Sequence, residues 1–302
     1  MIKLDLKPAI KEFDRYVKLQ KDGVCGKNAD TIKDLMDKKV IHTMNVVQDG
    51  TTVVEKLRVD DSFKKMIQIA LLDHDIGRFA QVRTTGSFND QALMLWSDHG
   101  ELGGDILATG LIEKQIPNTR IFDRSIINVV RNHVSARINQ RDLSAILYSG
   151  LLEYGDAYYI YGMESEQTKV MVDNFITQVI QDVDRLDIYR QVVDGRFVPK
   201  KSTAPIAPTI LEAFYKGQYL DIGNLKKRNL WNANVGELVR LSFINDIKLL
   251  SVAKMIKNEN LLPKMQLKRS NPYVSDAYKF TIEKLDHMIE NSKDGVTLYK
   301  KR

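Results

Sequence analysis

Five histidines punctuate this 302-residue chain, and four of them stand where chemistry could follow. His42 lies in VIHTMNVV, His74 in LLDHDIG, His99 in SDHGELG and His133 in VVRNHVS, each on or at the edge of a different expected helix. Asp75 follows His74 directly, and Asp184 comes later, in IQDVDRLDIYR. Imidazole nitrogens and carboxylates are ligands that divalent first-row metals accept. Burying such groups is unfavourable unless something compensates their desolvation. A shared cation would do so, because each helix of a bundle can contribute one inward-pointing ligand. The fifth histidine, His287 in KLDHMIE, reads as a surface residue.

The elements that would carry these residues are helical. Phe63, Met66, Ile67, Ala70 and Leu71 recur at i, i+3, i+4, i+7 and i+8, the pattern of a helix with one buried face. That helix is expected across 62–80, with His74 and Asp75 inside it. Further helices are expected near 30–48, 98–109, 123–138, 141–153, 167–193, 209–217, 234–257 and 273–291. Asp98 with Glu101 three residues on fits a helix cap. Asp182 and Asp187, flanking Asp184, read as helix-surface groups or as supports for the ligands. Strand-like alternation is scarce, so the expected class is all-α. The stretch 81–97 reads as a loop carrying Gly86 and Asn89, a candidate lid. PKKSTAPIAP, Pro199 to Pro208, holds three prolines and should be extended. It suggests a boundary between a domain of residues 1–199 and a basic helical subdomain of residues 200–302, packed on the first. Segment 153–163 holds four tyrosines, read as core or oligomer contact before a base-stacking pocket.

Composition limits the alternatives. A hydrophobic content of 43% and a charged content of 28% are those of a soluble globular protein. The one cysteine, Cys25, rules out an internal disulfide and a four-cysteine zinc site. No apolar run approaches the roughly 18–20 residues that span a bilayer, so no membrane association is expected. The opening MIKLDLKPAI has charge and no apolar core of a signal peptide, which makes a cytoplasmic address the default. The net charge of +6 is uneven: residues 200–302 carry 19 Lys and Arg against 10 Asp and Glu. A solvated lysine-rich face is the first reading, and attraction of phosphorylated ligands or nucleic acid is the alternative.

Read in order, HDIGRF at 74–79, FND at 88–90, DHGELG at 98–103, RNH at 131–133 and DVDRLDI at 182–188 form a distinctive set. The chain resembles the HD superfamily of metal-dependent phosphohydrolases, and most closely its bacterial branch with these motifs. The resemblance covers about residues 35–195 and reaches more weakly to PTILEAFYKGQ at 208–218. It implies an HD-domain helical bundle, here with additional C-terminal helices. It also implies that His42, His74, Asp75 and Asp184 are the ligands of a single-metal site. The order of His99 and His133 matches the two-metal members, in which Asp75 would bridge. One ion would then take His42, His74 and Asp184, the other His99 and His133, and the alternative role of these last two is to grip phosphate.

The implied cofactor is one or two divalent ions from among Mn, Fe, Co, Ni, Mg and Zn. The implied reaction is hydrolysis of a phosphate ester or anhydride, with a phosphorylated small molecule such as a nucleotide or cyclic nucleotide as substrate. Arg78 would act with Asp75 at the catalytic centre as a fork on phosphate, its rival role being a salt bridge to an acid such as Asp73. Two other classes stay open. One is a di-iron oxygenase of the inositol-oxygenase type, which has a similar ligand order. The other is a non-catalytic sensor or nucleic-acid-binding module, less favoured because the lysines are dispersed. Monomer and homodimer are equally compatible with the sequence.

Overall fold

Apolar periodicity dominates the chain from its start, and the computed structural model turns nearly every such run into helix. The described residues are 6–55, 61–115, 120–134, 166–197, 202–218, 220, 225–226, 228–269 and 272–291. They form helices joined by short turns, with no strand among them, so the class is all-α as expected. The expected helix at 141–153 and the tyrosine-rich stretch 153–163 lie outside the described residues. None of the described helices is long and apolar enough to cross a membrane. Contacts divide the chain into two units, Met1–Gln181 and Asp182–Arg302.

The first unit opens with α1, Leu6–Asp22, a helix absent from the expectations. Its buried residues Ala9, Phe13, Tyr16 and Val17 follow helical spacing, and Phe13 meets Phe79 edge-on at 5.6 Å. Next comes α2, Ala29–Val54, which buries Met36, His42, Thr43, Val46, Val47, Gly50, Val53 and Val54. These recur at three and four residues, so His42 shares the face that packs inward.

The single helix expected over 62–80 is two helices, α3, Asp61–Asp73, and α4, Ile76–Thr85. The break falls at His74 and Asp75. Asp75 has φ −107° and ψ 18°, in the sparsely populated bridge region, and occupies the N-cap position of α4. Its carbonyl accepts from Arg78 N at 2.9 Å, which starts the new helix. Its side chain caps nothing, although Asp is a preferred cap. The carboxylate is thereby left to turn elsewhere.

Beyond Gly86, at φ 67°, the expected loop is shorter than 81–97, because α4 holds residues up to Thr85. A short turn at Asp90–Ala92 lies within it. Then come α5, His99–Ile106; a wide turn through Leu107–Leu111; α6, Ile112–Gln115; and α7, Arg120–Asn132. The Asp98 cap is as expected, its carboxylate accepting from Glu101 N at 3.0 Å. Glu101 in turn accepts from Ser97 N at 2.7 Å.

Two glycines let this short helix approach its neighbours. A Cβ on Gly77 would lie 2.2 Å from the His99 carbonyl oxygen, and one on Gly104 would lie 2.9 Å from Arg131 Cβ. Neither approach leaves room for a side chain: α4 and α5 meet backbone to backbone at Gly77, and Gly104 of α5 sits against Arg131 of α7.

A long helix, α8, Glu166–Asp194, passes from the first unit into the second. Val172, Phe175, Ile176, Val179, Ile180, Val183, Leu186 and Tyr189 are buried along it, while Val170 is half exposed. In the second unit α9, Pro208–Tyr215, starts on a proline, whose fixed φ suits the first helical turn. There follow α10, Ala233–Ser242; α11, Leu250–Asn258; α12, Leu261–Arg269; and α13, Ser275–Glu290. Helices α10, α11 and α12 all pack on α13. The helix expected over 234–257 is interrupted because Asp182 draws aside the backbone. Its Oδ2 accepts from Lys248 N at 2.9 Å and Leu249 N at 2.7 Å, just before α11 begins.

Candidate metal centre

Two helices and two turns bring the sequence-predicted residues of the first unit around one carboxylate. Asp75 is 3% exposed. Its Oδ2 lies 2.9 Å from His74 Nε2 and 3.3 Å from His42 Nε2. Its Oδ1 lies 3.1 Å from His99 Nε2 and 4.0 Å from His133 Nε2. The imidazoles form a chain, with ring centroids 5.6 Å apart for His42 and His74, 5.5 Å for His74 and His133, and 5.1 Å for His99 and His133. His42 comes from α2, His74 from the break after α3, His99 from the first position of α5 and His133 from the turn after α7.

Possible ligand atoms fall into two sets. Those of His42, His74, Asp75 and Asp184 lie within 4.8 Å of one another, and so do those of Asp75, His99 and His133. Asp184 stands three residues past Gln181 on the unbroken helix α8. Either set, buried but for the partly exposed Asp184, could hold a metal ion, and Asp75 belongs to both.

The second nitrogen of each ring decides what the first can do. His74 Nδ1 lies 2.7 Å from the Leu71 carbonyl oxygen, and His133 Nδ1 lies 2.7 Å from that of Val130. A carbonyl only accepts, so both Nδ1 atoms carry the proton. Gln181 Nε2 donates to the His133 carbonyl at 2.8 Å and anchors that turn. His99 Nδ1 sits 3.1 and 3.2 Å from the two oxygens of Asp90. In a neutral ring the other nitrogen, Nε2, is then a lone pair aimed at Asp75. Burial, with His99 beside it, pushes the His133 imidazole down to about 3, so it is neutral at pH 7.

Lone pairs facing a carboxylate repel unless positive charge stands between them. His74 Nε2 is buried and faces Asp75 Oδ2 at 2.9 Å. That is the chemistry of a cation-binding donor set, and the residues present fit one.

Two cations of the protein already attend the carboxylate. Lys39 Nζ contacts Asp75 Oδ2, and Arg78 Nε lies 3.7 Å from Oδ1. Burial opposes ionisation of Asp75, but the Lys39 ammonium beside it holds the carboxyl well below its usual range. Lys39 was not anticipated from the sequence. The available signal was its spacing, three residues before His42 and so on the same face of α2.

Arg78 meets Asp90 and not Asp73. Its Nη1 donates to Asp90 Oδ1 at 2.8 Å, Gln81 Oε1 at 2.8 Å and the Phe88 carbonyl at 2.7 Å. Asp73 instead receives Gln115 Nε2 at 3.1 Å, and burial raises its carboxyl to about 7. Asp182 and Asp187 are both fully buried, which corrects the helix-surface reading. Asp182 holds the two backbone donors before α11, and Asp187 accepts from Gln191 at 2.8 Å and Arg196 at 3.2 Å. Pairing with helix and turn donors buries them without a metal. His287 lies on α13 in the second unit, its Nδ1 2.8 Å from Asn291 Nδ2.

No family model matches this chain, and no curated protein or solved structure matches it either.

Proposed function

We propose that the chain is a metal-dependent phosphohydrolase acting on a phosphate ester or anhydride, with a nucleotide or cyclic nucleotide as the favoured substrate. The observation that carries this reading is the two-sided use of Asp75. One oxygen faces His42 and His74, the other faces His99 and His133. A carboxylate shared in this way suits two cations better than one. The HD-type motif order points to the same ligands.

His42, His74, Asp75 and Asp184 would hold one ion, and Asp75, His99 and His133 the other. A divalent ion bound there lowers the pKa of water toward neutrality and shields phosphoryl oxygens from their own negative charge. The protein's residues supply the rest. Asp75 fixes the separation of the two donor sets. Lys39 and Arg78 offer positive charge beside it, suited to hold and orient a phosphoryl group. The mostly buried imidazoles keep bulk water from competing for those contacts. Mn, Fe, Co, Ni, Mg and Zn are all candidates for this mixed nitrogen and oxygen donor set.

The test is phosphate release from a panel of nucleotides, cyclic nucleotides and phosphate monoesters by protein loaded with Mn2+ or Co2+ under anaerobic conditions. Turnover that vanishes in Asp75→Ala is the expected result. Oxygen consumption by the iron-loaded protein, with no phosphate released by any metal form, would replace this reading with an oxygenase.

A further inference from the structure

The motif FND at 88–90 lies between two site residues, yet none of its side chains is in either donor set. Each of its residues nevertheless has a task. The Phe88 carbonyl accepts from Arg78 Nη1 at 2.7 Å, and its ring lies 5.9 Å from the guanidinium carbon. The Asn89 side chain accepts from Gln91 N at 3.4 Å and caps the turn Asp90–Ala92. That turn delivers the Asp90 carboxylate to three donors: His99 Nδ1 at 3.1 Å, Arg78 Nη1 at 2.8 Å and Gln81 Nε2 at 3.2 Å.

We propose that Asp90 is a positioning residue, which holds His99 with its proton on Nδ1 and Nε2 turned to Asp75, and ties Arg78 to the same oxygen. The inference rests on the metal-centre reading above. His74 and His133 place their Nδ1 protons on backbone carbonyls, which carry no net charge. His99 places its proton on a carboxylate. A charged acceptor fixes the ring's orientation and makes the opposite nitrogen a stronger ligand. Asp90 therefore acts on the His99 and His133 side of Asp75, and leaves the His42 and His74 side alone. Because its Oδ1 also receives Arg78, one acid sets the place of a ligand and of a phosphate-binding cation together.

Calorimetric titration with Mn2+ tests this on the full chain, comparing wild type with Asp90→Ala and Asp90→Asn. In Asp90→Ala one of two equivalents should bind about 10- to 100-fold more weakly, the usual effect of removing such a support, while the other is unchanged. Asp90→Asn keeps an acceptor oxygen without the charge and should lose less. In the metal-free protein, imidazole 15N shifts at fixed pH should show His99 losing its Nδ1–H preference in Asp90→Ala, with His133 keeping its own. A purely structural role for Asp90 would not move that ring selectively. Unchanged Mn2+ affinity, or equal weakening of both equivalents with an unaltered His99 ring, overturns the proposal. A wild type that takes up neither Mn2+ nor any of the other candidate ions overturns the metal-centre reading itself, which separates the two failures.

Discussion

Asp75 in the first unit and Asp182 in the second are buried to nearly the same degree, at 3% and 0% exposure, and are satisfied in opposite ways. Asp182 receives two backbone N–H groups, which can only donate. Asp75 receives ring nitrogens, which in the neutral state offer lone pairs, together with Lys39. Glu237, also buried in the second unit, resembles Asp182 in accepting from a firm donor, Tyr278 OH at 2.7 Å. The contrast shows that burial of an acid alone does not mark a functional site. The partners do: donors of fixed character hold a fold, whereas groups able to lose a proton or bind a cation make a site.

Replacing the two aspartates should separate these roles. Asp75→Ala should remove both Mn2+ equivalents, measured by elemental analysis after gel filtration without chelator, and abolish phosphate release. Each Mn2+ at 100 times its Kd should stabilise the wild type by about 2.7 kcal/mol, and both gains should be absent in Asp75→Ala. A variant that still binds both ions would erase the distinction between the two acids.

His133→Ala probes one side of Asp75 only. It should lower the metal content by about half, or leave it intact if His133 grips phosphate instead. Asp182→Ala should act on stability: two buried N–H groups lose their acceptor, at about 2–4 kcal/mol in chemical denaturation, with the number of Mn2+ equivalents unchanged. Gly77→Ala lies between these classes. Its new methyl would press on the His99 carbonyl, destabilising the first unit by about 1–3 kcal/mol and weakening Mn2+ binding through His99. His287→Ala, on the exposed side of α13, should change stability by less than about 0.5 kcal/mol and metal content not at all. A loss of metal in this variant would mean that the second unit's histidine shares the chemistry assigned to the first.

Helical class was readable because apolar residues recur at three and four positions through most of the chain. The same spacing in Ala9, Phe13, Tyr16 and Val17 announces α1, although their polar neighbours dilute it. Two expected helices failed as continuous elements for a common reason. At 74–75 and at 243–249 the chain breaks where an aspartate is engaged, Asp75 by imidazoles and Asp182 by backbone donors. Periodicity reports which face is buried, and both sides of each break keep that face. It carries no information about a side chain from elsewhere that draws the backbone aside.

Donor types, their order and the all-α class are legible in the residues alone, because ligand chemistry and helical period are properties of single residues and near neighbours. Tertiary packing alone decided that Oδ2 of Asp75 faces one pair of rings and Oδ1 the other, and that Lys39 and Asp90 join them. Those choices depend on how closely α4, α5 and α7 approach, and that distance is set by where a missing Cβ lets neighbouring helices touch.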